Sequence, residues 1–205
     1  MTNINSNLAE VKSGIRKRVL DKRNSLSISK RKRASRDAVE NFIGNIPIEK
    51  SDIIASFIPI SGEIDISLLN EILHENGNKV VLPAIKEKEL PLLFRLFTPE
   101  DNLVFNNKYK IYEPAESQEE CTPTIVIVPL VACDAKGNRI GFGGGFYDRT
   151  IEYLEKKREI LTVGIAYDFQ ILSEIPTLGH DKELDCIITD KKVIVCDDNR
   201  LKDKE

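Results

Sequence analysis

Residues 124–157 read TIVIVPLVACDAKGNRIGFGGGFYDRTIEYLEKK, and three signals follow one another in this stretch. The run 124–128 is β-branched and apolar on both alternating faces, as expected of a strand at the centre of a sheet. Gly141, Gly143, Gly144 and Gly145 then crowd into five positions, and a helix is predicted over 146–157. A buried strand passing through a glycine loop into a helix is the repeating unit of layered α/β proteins.

The same alternation extends outward in both directions. Downstream, 161–166 and 185–189 are buried-type strands, and 193–196 is an edge strand. Upstream, 52–58 and 79–82 are strands, the second ended by Pro83, with weaker strands at 92–97 and 108–112. Between them 66–75 is helical, capped by Asp65 and stopped at Gly77. The N-terminal part carries two helices. The first, 8–25, presents Leu8, Val11, Ile15 and Val19 at helical spacing. The second, 29–43, is capped by Ser27 or Ser29 and closed by Gly44 and Pro47. The expected fold is therefore α/β: one layered domain over 1–205 with a largely parallel mixed sheet flanked by helices, and a charged, frayed tail over 197–205.

Composition narrows the function. The 205 residues are 41% hydrophobic and 31% charged with a net charge of -3, which is ordinary for a globular protein and carries no overall signature of nucleic-acid binding. Cys121, Cys133, Cys186 and Cys196 form no C-x-x-C pair, which argues against a zinc site or a disulfide framework. No apolar run approaches the ~20 residues of a membrane span, and the N-terminus lacks the apolar core of a signal peptide. A cytoplasmic protein acting on small molecules as a monomer, with neither nucleic acid nor membrane as partner, is expected.

Four groups of residues carry chemistry. Glycines at 141–145 let the backbone take positive φ and approach a ligand closely, and successive N–H groups there can cradle an anion beside a helix N-terminus. The loop is neither a Walker A motif nor a dinucleotide fingerprint, because Phe146 and Tyr147 follow the last glycine; it reads as a phosphate cradle, with a flexible turn without a ligand as the alternative. Lys12 and Arg16, four apart, stack on one side of the first helix and flank its apolar stripe, either as a cation pair aimed into a cleft or as a solvated basic face. Glu63, just past a strand end, can accept two hydrogen bonds from an amino-pyrimidinone edge, whereas Asp65 has helix capping to explain it. Asp148 and Asp181, the latter beside His180 and followed by Asp185, are oxygen donors of the kind that holds Mg²⁺ together with phosphates. His74 reads as a helix-surface residue.

In order and spacing these pieces resemble the 5-formyltetrahydrofolate cyclo-ligase family across nearly the whole chain. The shared pieces are Lys12-x-x-x-Arg16, Gly62-Glu63-Ile64, Asp134-x-x-Gly137-Asn138-Arg139-x-Gly141-x-Gly143-x-Gly145-Phe146-Tyr147-Asp148, His180-Asp181 and Asp185-x-Ile187-Ile188-Thr189. The glycine motif is the specific part. The resemblance implies a Rossmann-like domain that turns 5-formyltetrahydrofolate and MgATP into 5,10-methenyltetrahydrofolate, ADP and phosphate. It implies that Lys12, Ser13, Gly14, Ile15 and Arg16 contact ATP. Arg139, Ile140, Gly141, Phe142, Gly143, Gly144, Gly145, Phe146 and Tyr147 would wrap its phosphates. Arg16, Ile58, Glu63 and residues 142–146 would hold the folate, and Asp148 and Asp181 the Mg²⁺. Lys12, Arg16 and Arg139 would stabilise the phosphoryl transfer. Two positions depart from the family pattern: Phe146 stands where a tyrosine is usual, and Gly144 where some members carry lysine. Two other function classes remain beside this one. No motif favours a sugar-phosphate isomerase or acyl-CoA transferase; a nucleic-acid-binding module would use the basic first helix and bind with steep salt dependence.

Overall fold

The computed structural model describes residues 2–179, 181–197 and 200, with side chains from Leu8 onward. His180 and most of the 197–205 tail lie outside the described residues. In chain order the elements are α1 (Thr2–Asn24), α2 (Ile28–Asn45), β1 (Ile53–Ala55), α3 (Ser67–Glu75), β2 (Lys79–Ala84), β3 (Leu93–Leu96), β4 (Val104–Asn106), β5 (Ile111–Glu113), β6 (Ile125–Pro129), β7 (Ala132–Asp134), β8 (Arg139–Ile140), α4 (Phe146–Glu155), β9 (Leu161–Ala166), β10 (Ile171–Leu172), β11 (Cys186–Thr189) and β12 (Val193–Val195).

Seven strands form the main sheet in the order β12-β11-β9-β6-β1-β2-β3. The five inner strands are parallel, and β12 and β3 close the two edges antiparallel. Numbered by their place in the chain, the parallel strands run 2-1-3-4-5. The order reverses between β1 and β6, and in such sheets a ligand crevice opens there, beyond the carboxyl ends of the strands. β6 is the middle strand, in keeping with its sequence. Ile125 and Ile127 face the cluster formed with Ala38, Phe42 and Leu69 of α2 and α3, while Val126 and Val128 face Ile151 and Leu154 of α4. A strand covered on both faces must be apolar at every position, which is why this run does not alternate.

α1 packs through a smaller cluster, Ile15 and Val19 against Val131, Ala132, Ile140 and Ile175. The expected stripe is corrected at one position: Val11 is 46% exposed, and Lys12, at 7%, takes the inward place. The helix is thus rotated so that Lys12, Arg16 and Arg23 share the inner face with Ile15 and Val19.

Three further expectations change. Pro83 does not end β2, which runs on to Ala84 opposite Leu93. Val81, two residues earlier, turns its carbonyl toward β1 and accepts from Ser56 N. Pro83 points the same way, past the last paired residue of β1, so its missing N–H breaks no ladder. Asp65 is not the N-cap itself, which is Ile66; its Oδ1 accepts from the Ser67 N–H at 3.0 Å and from the Ser67 hydroxyl, one position ahead. The segment 108–112 is largely the turn of the β4–β5 hairpin. Asn106 Oδ1 accepts from the N–H groups of Lys108 and Tyr109, and Lys110 takes φ +57.

Candidate active site

A cavity of about 990 Å³ opens at the carboxyl ends of β1 and β6. It joins residues more than a hundred positions apart: Lys12 and Arg16 from α1, Glu63 from the loop after β1, Arg139 from β8, and Asp148 from the first turn of α4. The loop 141–145, Phe146, Ile58 and Tyr109 line it as well.

The polar wall is tied together by charge. Lys12 Nζ lies 2.5 Å from Asp181 Oδ2, an atom that also accepts from the Leu178 N–H at 2.7 Å. Arg139 donates to Asp148 Oδ1 at 2.7 Å and to the carbonyl of Lys182. Its guanidinium is held below its usual pKa by burial, with Asp148 and then Asp181 acting the other way. Arg16 Nε donates to the Gly141 carbonyl at 2.7 Å, which fastens α1 to the glycine loop. Gly143 and Gly145 stand at φ +100 and +66, and Gly145 is the N-cap of α4. Left-handed residues alternating in a short loop turn N–H groups to one side, and the helix terminus behind them adds its free N–H groups and dipole. Three cations and such a loop make a basin for a polyanion.

Glu63 lines the same cavity from the loop after β1. It is buried, its Oε2 accepts from the Ile60 N–H at 2.9 Å, and its Oε1 has no partner among the described residues. Burial raises its pKa to about 7, against the Ile60 hydrogen bond and the charge of Arg23. A carboxyl group with one oxygen anchored and one orphaned in an apolar cavity is suited to a ligand edge bearing N–H donors.

Asp148 and Asp181 also bear on a metal. Asp148 Oδ1 accepts from Arg139 and the Lys182 N–H, while Oδ2 accepts no hydrogen bond among the described residues. No group of three or more metal-binding side chains occurs among the described residues. Two hard carboxylates short of a full shell fit Mg²⁺, which takes the remainder from phosphates and water.

Not every expected residue reaches the cavity. Ser13 and Gly14 are exposed on the far side of α1, and Ile15 is buried beneath it. Asp185 binds Thr162 N and Oγ1 at 2.7 Å and is structural in that contact. His74 packs edge-on to Phe97, away from the cavity. Conversely, sequence reading missed Tyr109. Its ring meets Phe146 edge-to-face at 5.9 Å, and only the Asn106-Asn107 turn signal hinted at a hairpin there. The two positions that depart from the family pattern touch each other: a Cβ on Gly144 would come within 2.8 Å of the Phe146 ring.

Comparison with known proteins shows the family. The 5-formyltetrahydrofolate cyclo-ligase family matches residues 8–190. The 5-formyltetrahydrofolate cyclo-ligase of Escherichia coli K12 is 31% identical over 180 residues, covering 85% of this chain and 98% of its own. That of Haemophilus influenzae is 32% identical, covering 83% and 92%. The Aquifex aeolicus 5,10-methenyltetrahydrofolate synthetase structure superposes with a TM-score of 0.78 at 32% identity, over 92% of this chain and 94% of that one. The Mycoplasma pneumoniae synthetase shares the fold, with a TM-score of 0.71 at 24% identity. With its glycine loop, paired cations and buried glutamate gathered in one crevice, the chain belongs to the 5-formyltetrahydrofolate cyclo-ligase family.

Proposed function

We propose that this protein converts 5-formyltetrahydrofolate and ATP to 5,10-methenyltetrahydrofolate, ADP and phosphate. The observation that carries the proposal is that one cavity is lined both by a cationic basin with a glycine loop and by a buried carboxyl group with an oxygen unpartnered among the described residues. The triphosphate belongs in the basin, against Lys12, Arg16, Arg139 and the loop. The pterin belongs at Glu63, with Ile58 and Phe142 beside it.

The reaction needs no nucleophilic side chain. The formyl oxygen attacks the γ-phosphate, ADP leaves, and nitrogen 10 then attacks the activated carbon as phosphate departs. The residues supply alignment and positive charge, the main sources of rate in phosphoryl transfer. Lys12 and Arg139 are held in place by Asp181 and Asp148, so their charges are already oriented before ATP arrives. Asp148 and Asp181 would hold a magnesium ion, which when bound neutralises phosphate charge. The N-terminus of α4 and the Gly143–Gly145 backbone would stabilise the phosphoryl oxygens.

The direct test mixes purified protein, MgATP and 5-formyltetrahydrofolate and follows the near-ultraviolet absorbance of the methenyl product. Product formation that requires all three components is expected. Folded protein that binds MgATP yet makes no methenyl product would overturn the proposal.

A further inference from the structure

Arg23, on the inner face of α1 two turns beyond Arg16, is wholly buried, and among the described residues none of its three guanidinium nitrogens has a hydrogen-bond partner. Its side chain makes no ion pair within 4 Å among the described residues. Burying a guanidinium without partners is costly, and a hydrophobic side chain of similar length would fill the space with less penalty. Its surroundings suggest a function. The guanidinium lies 5.6 Å from the ring centroid of Phe142, the exposed aromatic residue of the glycine loop. It also acts electrostatically on Glu63, whose Oε1 is the orphaned atom at the pterin end of the cavity.

We propose that Arg23 is a positioning residue for the folate end of the site, its guanidinium serving as the fixed counter-charge of the Glu63 carboxyl group and as the support for Phe142. This rests on the assignment of Glu63 to the pterin. Arg23 does not line the cavity and touches no reacting atom; it acts through Glu63 and the loop. Glu63 is faced by few other charged or titratable groups. Tyr147 of α4 is electrostatically coupled to it but carries no positive charge. Tyr167 at the end of β9 donates its hydroxyl to the carbonyls of Gly62 (3.2 Å) and Glu63 (3.4 Å). Arg31 of α2 spends its guanidinium on the carbonyls of Arg23, Asn24 and Leu26, beside Gly62. Arg23 is thus the cation that offsets the burial of the Glu63 carboxylate.

The sign follows directly. Burial raises the Glu63 pKa to about 7 even with Arg23 opposing it. Removing that charge raises it further, so less of Glu63 is a carboxylate at neutral pH. For Arg23→Met, the Glu63 titration, followed by carboxyl carbon NMR in ligand-free protein, should move up by roughly one pH unit. Binding of 5-formyltetrahydrofolate without ATP should weaken about fivefold at neutral pH and recover in alkali, its acid limb displaced by the same amount. MgATP affinity should fall by less than folate affinity, and its loss, which acts through Phe142 and the loop, should not depend on pH. Arg23→Lys, which keeps the charge, should leave the limb near its wild-type position. A Glu63 titration unmoved in Arg23→Met would overturn the proposal. Should that variant not fold, Arg23→Gln carries the same measurements; if neither folds, Arg23 is structural and the proposal is equally overturned. Wild-type protein that fails to bind 5-formyltetrahydrofolate, while the Glu63 titration still moves, would remove the functional assignment and leave the charge coupling standing.

Discussion

Lys12 and Lys17 stand five positions apart on α1 and meet opposite surroundings. Lys12 is 7% exposed and paired with Asp181, whereas Lys17 is exposed. A charged hydrogen bond to phosphate is worth ~1.5–3 kcal/mol, so Lys12→Ala should lower ATP-dependent turnover by roughly ten- to a hundredfold, with Lys17→Ala close to wild type. Equal losses would mean that α1 contributes only general positive charge. Glu63 makes a prediction about stability as well as binding. Its folded pKa, about 7, lies above its ordinary value of 4.5, so its contribution to stability is fully present below about pH 4.5 and is lost as pH rises through 7. Glu63→Gln removes this dependence. Relative to wild type, the variant should gain on the order of 3 kcal/mol between pH 4 and pH 8 in denaturant titrations, while losing folate affinity. A constant difference in stability across that range would show that the carboxyl group is not buried in solution. The Lys12–Arg16 pair and Glu63 were legible in the sequence because spacing along one helix and position after one strand are local facts. Arg23 was not: its sequence neighbours make it one more cation on a basic helix. Only the rotation of α1 that exposes Val11 and buries Arg23 distinguishes it.

The loop between β8 and α4 was the element most fully readable beforehand, since four glycines in five positions state their own conformational freedom. The structure adds which of them need it. Gly143 and Gly145 take positive φ, and Gly144 is kept bare by the Phe146 ring. At Gly143 a Cβ would meet nothing closer than Arg16 Nη2 at 3.6 Å, so valine there is opposed by backbone conformation and not by space. Strain of that kind costs of order 1–3 kcal/mol. Gly143→Val should therefore fold with a midpoint lowered by several degrees, and MgATP should no longer raise that midpoint, because a ligand stabilises only by binding the native state. A variant that melts lower yet still gains stability from MgATP would reduce the glycines to a turn. What the sequence concealed was the short hairpin of β7 and β8 just before the loop. It is two to three residues per strand, too short for periodicity to register. Asp134 organises its turn, accepting from the N–H groups of Lys136 and Asn138, with Gly137 at φ +90. This hairpin is what brings Arg139 to Asp148.

At the scale of the molecule, the alternation of strands and helices was enough to anticipate a parallel sheet, because each buried strand is apolar on both faces. It could not order the strands. The reversal between β1 and β6 depends on which helices cover which face, and that is decided by packing between residues far apart in sequence. The same separation hid the placement of α1. This helix supplies Lys12, Arg16 and Arg23, yet its buried apolar contact is the small cluster around Ile15 and Val19, whereas β6 and β9 lie in the two large clusters. Elements with few buried apolar contacts open locally at lower free energy than the core. α1 is therefore expected to exchange its amide hydrogens faster than β6 or β9 in ligand-free protein. Arg16 and Lys12 join the helix to the glycine loop and to Asp181, so a polyanion seated among them should hold α1 closed. If opening α1 releases the ligand, MgATP at a hundred times its Kd should slow exchange along α1 by about a hundredfold, the same factor by which it slows β6 and β9, whose global unfolding also releases the ligand. Hydrogen exchange resolved by peptide measures this directly. Equal exchange rates in α1 and the core strands of ligand-free protein would mean that α1 opens only with the whole molecule, and unchanged exchange in α1 while β6 and β9 slow would place the nucleotide away from Lys12 and Arg16.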